Sequence, residues 1–372
     1  DCFLSLALYS LQQSVPRDRS TEIAAAVAFC LLFLAGHGAL NAIAPEADQV
    51  LLPVTALLSA VGLVFAFRLD PNAPALAVRQ IIWLAAGLAL MVATVQVLSR
   101  YAVLRDYKYL AAVAGLGLMA VTAAVGHEIN GSRLWLGAAG IYFQVTEAMK
   151  LLLVLFLAGY LAERRFLLGA ISRRWRAFRV PTLPYLLPLL VIWSLTLALM
   201  AWQHDLGAML LLMSVTLLLL YVATGRWAFV VAGLGIVCLN VFLAYHLFGY
   251  VRVRIDLWLH PLSQLHGAGY QIAQSIYGFA GGGLFGTGIG RGSPQYIPVV
   301  QTDFVFAAIG EELGTVGAVA LLGAYLLLAF RGLRIGVSQP ADFGMLLAIG
   351  FTAVLAVQAI VIVAGNMALI PI

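Results

Sequence analysis

Charge is scarce in this sequence. Only 10% of its 372 residues are Asp, Glu, Lys or Arg, against 63% that are hydrophobic. A soluble globular domain carries about 25% charged residues, and none could hide this much apolar surface, so that class is excluded. Cysteine is scarce too. Cys2, Cys30 and Cys238 fall in three separate apolar runs, which argues against a disulfide framework or a cysteine metal cluster. Of the six histidines only His260 and His266 share a loop, and a separation of six is not a metal-ligand spacing. The glycines of 281–292 follow no strand, and no Walker lysine comes after them, so a nucleotide loop is not expected. The chain also lacks a fixed-period repeat, a low-complexity tract and the alternation that a β-barrel requires.

What the sequence has is apolar runs of about 20 residues, the length that crosses a hydrocarbon core as a helix. Helices are expected at 2–12 (partial), 22–43, 50–67, 79–98, 109–126, 146–162, 182–201, 206–223, 228–248, 304–330 and 342–365. The expected fold is all-α, a polytopic membrane helix bundle of about 10–11 spans. Residues 1–48 form additional N-terminal membrane segments, and 49–372 form the core. Cys2–Leu11 is too short to span, so the chain reads as clipped at its start. The 36 glycines suit close helix packing and irregular backbone lining a cavity.

A net charge of +5 in such a chain gathers in loops and gives no indication of nucleic-acid binding. Alternating sides from helix to helix places twelve Lys and Arg on one set of loops and eight on the other; six of the twelve fall in Arg164–Arg179. The richer side is cytoplasmic by the positive-inside rule, which puts the loops 127–145 and 249–303 outside. Arg164–Arg179 itself reads as a solvated collar beside anionic membrane lipid.

Polar groups interrupt the apolar background in three places. In the first, Arg133 and Trp135 precede Phe143-Gln144-Val145-Thr146-Glu147-Ala148-Met149-Lys150. Glu147 and Lys150, at i,i+3, can face each other on a helix. They form either a neutral pair near the interface or a buried cation that meets a phosphate, with Arg133 as a second donor. In the second, Trp202-Gln203-His204-Asp205-Leu206-Gly207 makes a tight outer turn. Asp205 there serves either as an N-cap or as part of an acidic pocket. The third is the extracytoplasmic loop 249–303. In an extended segment Arg252 and Arg254 would point to one side, suiting a diphosphate or, equally, anchoring at the headgroups. Gly269–Ser275 reads as a short amphipathic helix, followed by a mobile, strand-poor glycine segment.

That loop ends in Gln301-Thr302-Asp303 and runs straight into Phe304-Val305-Phe306. A carboxylate at the lip of a bilayer is costly and is usually functional. Asp303 is therefore the candidate catalytic residue, with a plain N-cap as the alternative. Glu311 and Glu312 lie about 12 Å further along the helix and need cationic partners, from Lys150 or the loop arginines.

The stretch Gln301-Thr302-Asp303-Phe304-Val305-Phe306-Ala307, with Glu311-Glu312-Leu313-Gly314 after it, resembles the shape, elongation, division and sporulation family, that of the cell-wall proteins RodA, FtsW and SpoVE. Gly269-Tyr270-Gln271, Gln274-Ser275 and Gly282-Gly283-Leu284-Phe285-Gly286 fit it as well. The resemblance runs from about residue 50 to 372, with added spans at the N-terminus. Val145-Thr146 stands where the family has Pro-Ser, and His204 where it has Pro. The chain stops at Asn366–Ile372, before the family's last helix.

The resemblance implies a peptidoglycan glycosyltransferase in the bacterial cytoplasmic membrane. Such an enzyme polymerises lipid II at the outer face and partners a class B penicillin-binding protein transpeptidase. It also implies that Asp303 is the essential catalytic residue. Lys150, Arg252 and Arg254, or a divalent cation (magnesium or manganese) held by Asp303, could stabilise the departing diphosphate; no cofactor is otherwise implied. Arg133, Trp135 and Glu147 would shape the outer cavity. Two rivals stand beside this reading: a flippase of the lipid-linked precursor, and a non-catalytic scaffold that activates a transpeptidase.

Overall fold

A computed structural model describes residues 19–69, 75–129, 132–138, 141–170, 172–175, 178–181, 183–261, 267 and 269–371. The expected segment 2–12 lies outside the described residues. Each other apolar run forms a helix close to its expected place. These are α1 (Arg19–Ile43), α2 (Leu51–Leu69), α3 (Ala75–Val97), α4 (Lys108–Val125), α5 (Val145–Ala170), α6 (Leu183–Trp202), α7 (Leu206–Thr224) and α8 (Trp227–Leu247). Two more follow after an interval of shorter elements, α11 (Val305–Val337) and α12 (Asp342–Asn366). Among the described residues nine helices are long and apolar enough to cross a membrane, and Leu187–Trp202 is a shorter apolar helix. The protein is a polytopic helical membrane protein.

Three loops differ from expectation. The first carries an antiparallel meander of β1 (His127–Ile129), β2 (Ser132–Ala138) and β3 (Ile141–Gln144). A second hairpin pairs β4 (Ser172–Trp175) with β5 (Phe178–Pro181). The long segment 249–303 is not one loop. It contains α9 (Gly249–Leu259), α10 (Tyr270–Gly282) and a 3-10 turn at Pro294–Tyr296. The amphipathic helix expected at Gly269–Ser275 is thus present and about twice as long.

The chain divides into two compact units. One takes in α1, α2 and α3 with Val253–Arg331 and Ile362–Pro371; the other takes in Arg100–Arg252 and Gly332–Val361. The first unit's core sets Phe29 and Phe33 of α1 and Leu63, Phe65 and Phe67 of α2 with Leu88 of α3 and Ala307, Ala308 and Ile309 of α11. The second unit is built on α5, whose Met149, Leu153, Phe156, Leu157 and Leu161 are fully buried among Leu212, Val215 and Leu219 of α7 and Leu346 and Ile349 of α12. A helix that is apolar all round belongs inside. Small residues permit the close approach: a Cβ on Gly115 would lie 2.4 Å from Met149 Sδ, and one on Gly350 2.5 Å from Val154 Cγ1. Where lipid tails are as apolar as side chains, such close contact drives helix association.

Candidate active site

In the first unit, Asp303 sits two residues before α11 on a stretch that is neither helix nor strand. The N–H groups of Thr302 and Asp303 both donate to Val299 O, at 3.2 and 3.1 Å. Three side-chain amides, two from elsewhere in the unit and one from the stretch itself, tie it down. Gln271 Nε2 of α10 donates to Pro298 O (3.1 Å), Gln301 Nε2 donates to Leu69 O of α2 (2.8 Å), and Asn366 Nδ2 of α12 donates to Asp303 O (2.8 Å). The backbone at Asp303 is thereby fixed while its side chain is exposed. Its carboxylate accepts no hydrogen bond from the described residues, so its oxygens are open to an incoming group.

Glu311 and Glu312 have protein partners. Glu312 is fully buried; its Oε1 accepts from Arg68 Nε at 2.7 Å and its Oε2 from Gly290 N at 3.0 Å. The same guanidinium donates to Gly292 O at 2.9 Å. Glu311 Oε1 accepts from Ser293 N at 2.6 Å. A buried ion pair survives only when its remaining donors and acceptors are satisfied, and this one is satisfied by the glycine segment.

That segment is a correction to the sequence reading, because it is pinned and not mobile. Helix α11 breaks at Gly314 (φ 69°, ψ −173°), leaving backbone groups without intrahelical partners. Thr287 N and Gly288 N donate to the carbonyls of Glu311 and Glu312, both at 3.0 Å. In return, Thr315 N and Val316 N donate to the carbonyls of Gly283 (2.9 Å) and Leu284 (3.1 Å). Non-helical backbone at membrane depth requires such internal pairing. Gly286, at φ +79°, could carry no side chain, since a Cβ there would lie 2.2 Å from Glu312 O.

In the second unit, Glu147, Lys150 and Asp205 come together. Lys150 is almost fully buried and donates to Glu147 Oε1 at 2.7 Å, as the i,i+3 spacing expects, and to Gln358 Oε1 of α12 at 2.8 Å. Asp205 caps α7 by accepting from Ala208 N at 3.0 Å, and it also accepts from Thr146 Oγ1 at 3.3 Å. Burial raises the Asp205 carboxyl above the ordinary aspartate range, opposed by those two hydrogen bonds and by the charge of Lys150. Arg133 lies on β2 in an exposed pair with Glu128 (3.2 Å), of a kind that contributes little. Trp135 is half-buried and stands opposite Gln144 in the β2–β3 register.

The reading of Arg252 and Arg254 as neighbours on one side is overturned. Both lie on helix α9, where a separation of two residues turns about 200° and sends side chains to opposite faces. Arg252 instead rests over the Tyr245 ring, 5.4 Å from its centroid. Sequence reading also passed over Gln358 and Asn366, and took Arg68 only as one of the loop cations. The available signal was an uncharged amide inside an otherwise apolar run, which a membrane helix carries only for a reason.

Fold and site define a multi-pass α-helical membrane protein with an exposed carboxylate mounted on a stiff turn at the mouth of a span. The chain belongs to the cell cycle protein family of FtsW, RodA and SpoVE, whose family model matches residues 46–372. The peptidoglycan glycosyltransferase RodA of Mycobacterium tuberculosis is 38% identical across 96% of this chain and 78% of its own length. Stage V sporulation protein E of Bacillus subtilis is 33% identical across 68% of this chain and 67% of its own. A solved chain from a peptidoglycan synthase complex, in work on the coordination of polymerization and crosslinking, is 28% identical. It superposes with a TM-score of 0.61 over 94% of this chain and 88% of that one.

Proposed function

We propose that this protein is a peptidoglycan glycosyltransferase that polymerises lipid II at the outer face of the cytoplasmic membrane, with Asp303 as its base. The observation that carries the reading is the exposed Asp303 carboxylate, whose backbone is held from α2, α10 and α12 while its oxygens are left open. A general base has to reach the proton that it removes, and a sealed carboxylate could not.

The reaction is a single displacement with inversion. Asp303 takes the proton of the acceptor sugar's 4-hydroxyl, whose oxygen attacks the donor's anomeric carbon. The bond from that carbon to the lipid diphosphate breaks, and its electron pair leaves on the diphosphate. A departing diphosphate needs charge stabilisation more than a proton, so one base suffices. Within the second unit, Lys150 is a buried cation whose ammonium is oriented by Glu147 and Gln358, a group of the kind that grips a phosphate. Among the described residues no three His, Cys, Asp or Glu side chains gather to hold a metal ion. A magnesium or manganese ion at Asp303 would therefore take its remaining ligands from water and the diphosphate.

The solved synthase complex, which coordinates polymerization and crosslinking, supports a penicillin-binding transpeptidase as partner. Purified Asp303→Asn should keep its fold and its partner but make no glycan from lipid II on a gel. Polymer at the wild-type level would refute the assignment. Transport of lipid II across liposomes with no new glycosidic bond, by the wild-type protein, would favour the flippase reading instead.

A further inference from the structure

We infer that Asn366 is a positioning residue for Asp303: its side-chain amide replaces the hydrogen bond that would otherwise extend α11 by one residue toward Asp303. This rests on Asp303 being the base. The first bond of α11 is in place, Ala308 N donating to Phe304 O at 3.3 Å; the next position upstream, with a carbonyl accepting from the N–H four residues on, would join Asp303 O to Ala307 N. The Asn366 amide occupies that place. Its Nδ2 donates to Asp303 O at 2.8 Å, and its Oδ1 accepts from Ala307 N at 3.2 Å. Ala307 N also reaches Phe304 O at 3.0 Å, the tighter bond of a 3-10 turn.

A primary amide has the donor and acceptor of a peptide group, so it lengthens the turn without leaving either backbone group unpaired. It holds Asp303 outside the helix, where its carboxylate is exposed. Asn366 is itself immobilised. It is 2% exposed, its Nδ2 donates a second bond to Ile362 O at 2.9 Å, and its own carbonyl accepts from the buried Ser275 Oγ at 2.6 Å. Val299 supplies the other half of the mount. Its φ of +54° is unusual for a β-branched residue, and such strain persists only where surrounding contacts impose it.

Removing the amide should let Asp303 O and Ala307 N close on each other, extend α11 by one residue and draw Asp303 into its N-cap position. A base misplaced by about 1 Å loses about 100-fold in rate, while the lipid's binding groups are untouched. The test measures initial polymerisation rates against lipid II concentration for the full chain with its transpeptidase, per mole of folded protein by size exclusion. Its variants are Asn366→Ala, Asn366→Asp and Leu219→Ala, with Asp303→Asn alongside. Asn366→Asp keeps size and one acceptor but has no N–H for Asp303 O.

Both Asn366 variants should lose about 100-fold in kcat with KM within about twofold. Leu219→Ala, a cavity in the core of the second unit away from Asp303 and Asn366, should lower Tm and keep kcat. If Asp303→Asn is inactive yet the Asn366 variants keep kcat, or lose activity only as Leu219→Ala does, the positioning role is overturned. A rise in KM at constant kcat overturns it as well. Activity in Asp303→Asn overturns the catalytic reading beneath it.

Discussion

At the scale of single residues, the polar groups of this protein are used in two ways. Glu312 and Arg68 are consumed by structure: they partner each other and the glycine segment, Glu312 through both of its oxygens and Arg68 through Nε and Nη2. Asp303 is the reverse, anchored by its backbone and open at its side chain. Asp205 stands between, a helix cap whose burial works against its charge. Because the folded state raises its titration point, Asp205 contributes stability below the ordinary aspartate range and loses it as pH climbs through the raised value. Asp205→Asn retains a good cap and removes that dependence. Its thermal unfolding in detergent should vary less with pH than the wild type's, with the gap widening toward neutral pH. Asp205→Ala loses the cap as well and should be about 1 kcal/mol less stable than Asp205→Asn at any pH. A wild-type pH profile in the Asn variant would remove Asp205 as the source.

At the scale of elements, α11 is the most telling. It is a span interrupted at Gly314 and repaired by backbone from 283–288, so a long apolar run and a glycine-rich loop form one hydrogen-bonded body. Positive φ is required at Gly314, and a Cβ there would meet Gly286 N at 2.3 Å. Gly314→Ala is therefore expected to destabilise by at least about 1–3 kcal/mol from backbone strain alone. Nothing lies within 4 Å of a Cβ on Gly323, further along the same helix, and Gly323→Ala should be neutral or gain about 0.5–1 kcal/mol. Thermal melts of the two variants side by side test this, and equal melting points would mean that the break carries no strain.

At the scale of the whole molecule, the chain is a multi-pass membrane protein, and its proposed chemistry depends on which side the Asp303 turn faces. Ser293 precedes α11 and Ser338 follows it, both exposed, so one crossing separates them. In a variant lacking Cys2, Cys30 and Cys238, Ser293→Cys should react with an impermeant maleimide on intact cells. Ser338→Cys should react only after permeabilisation. The opposite pattern would place Asp303 toward the cytoplasm, where lipid II polymerisation at the outer face is impossible.

The sequence by itself determined where the spans lie, because a run of about 20 apolar residues is a local property that no distant contact can mimic. It also determined the candidate base, since Asp303 abuts an apolar run whatever the fold around it. Tertiary structure alone decided the partners: Arg68 for Glu312, Gln358 for Lys150 and Asn366 for Asp303 are separated in the chain by up to 244 residues. It decided as well that 249–259 is helical, which parted Arg252 from Arg254, and that the glycines of 282–292 are held fast. Uncharged amides and glycines carry no long-range signal of their own. What they do depends on which buried backbone group is left without a hydrogen bond, and only the packed structure specifies that.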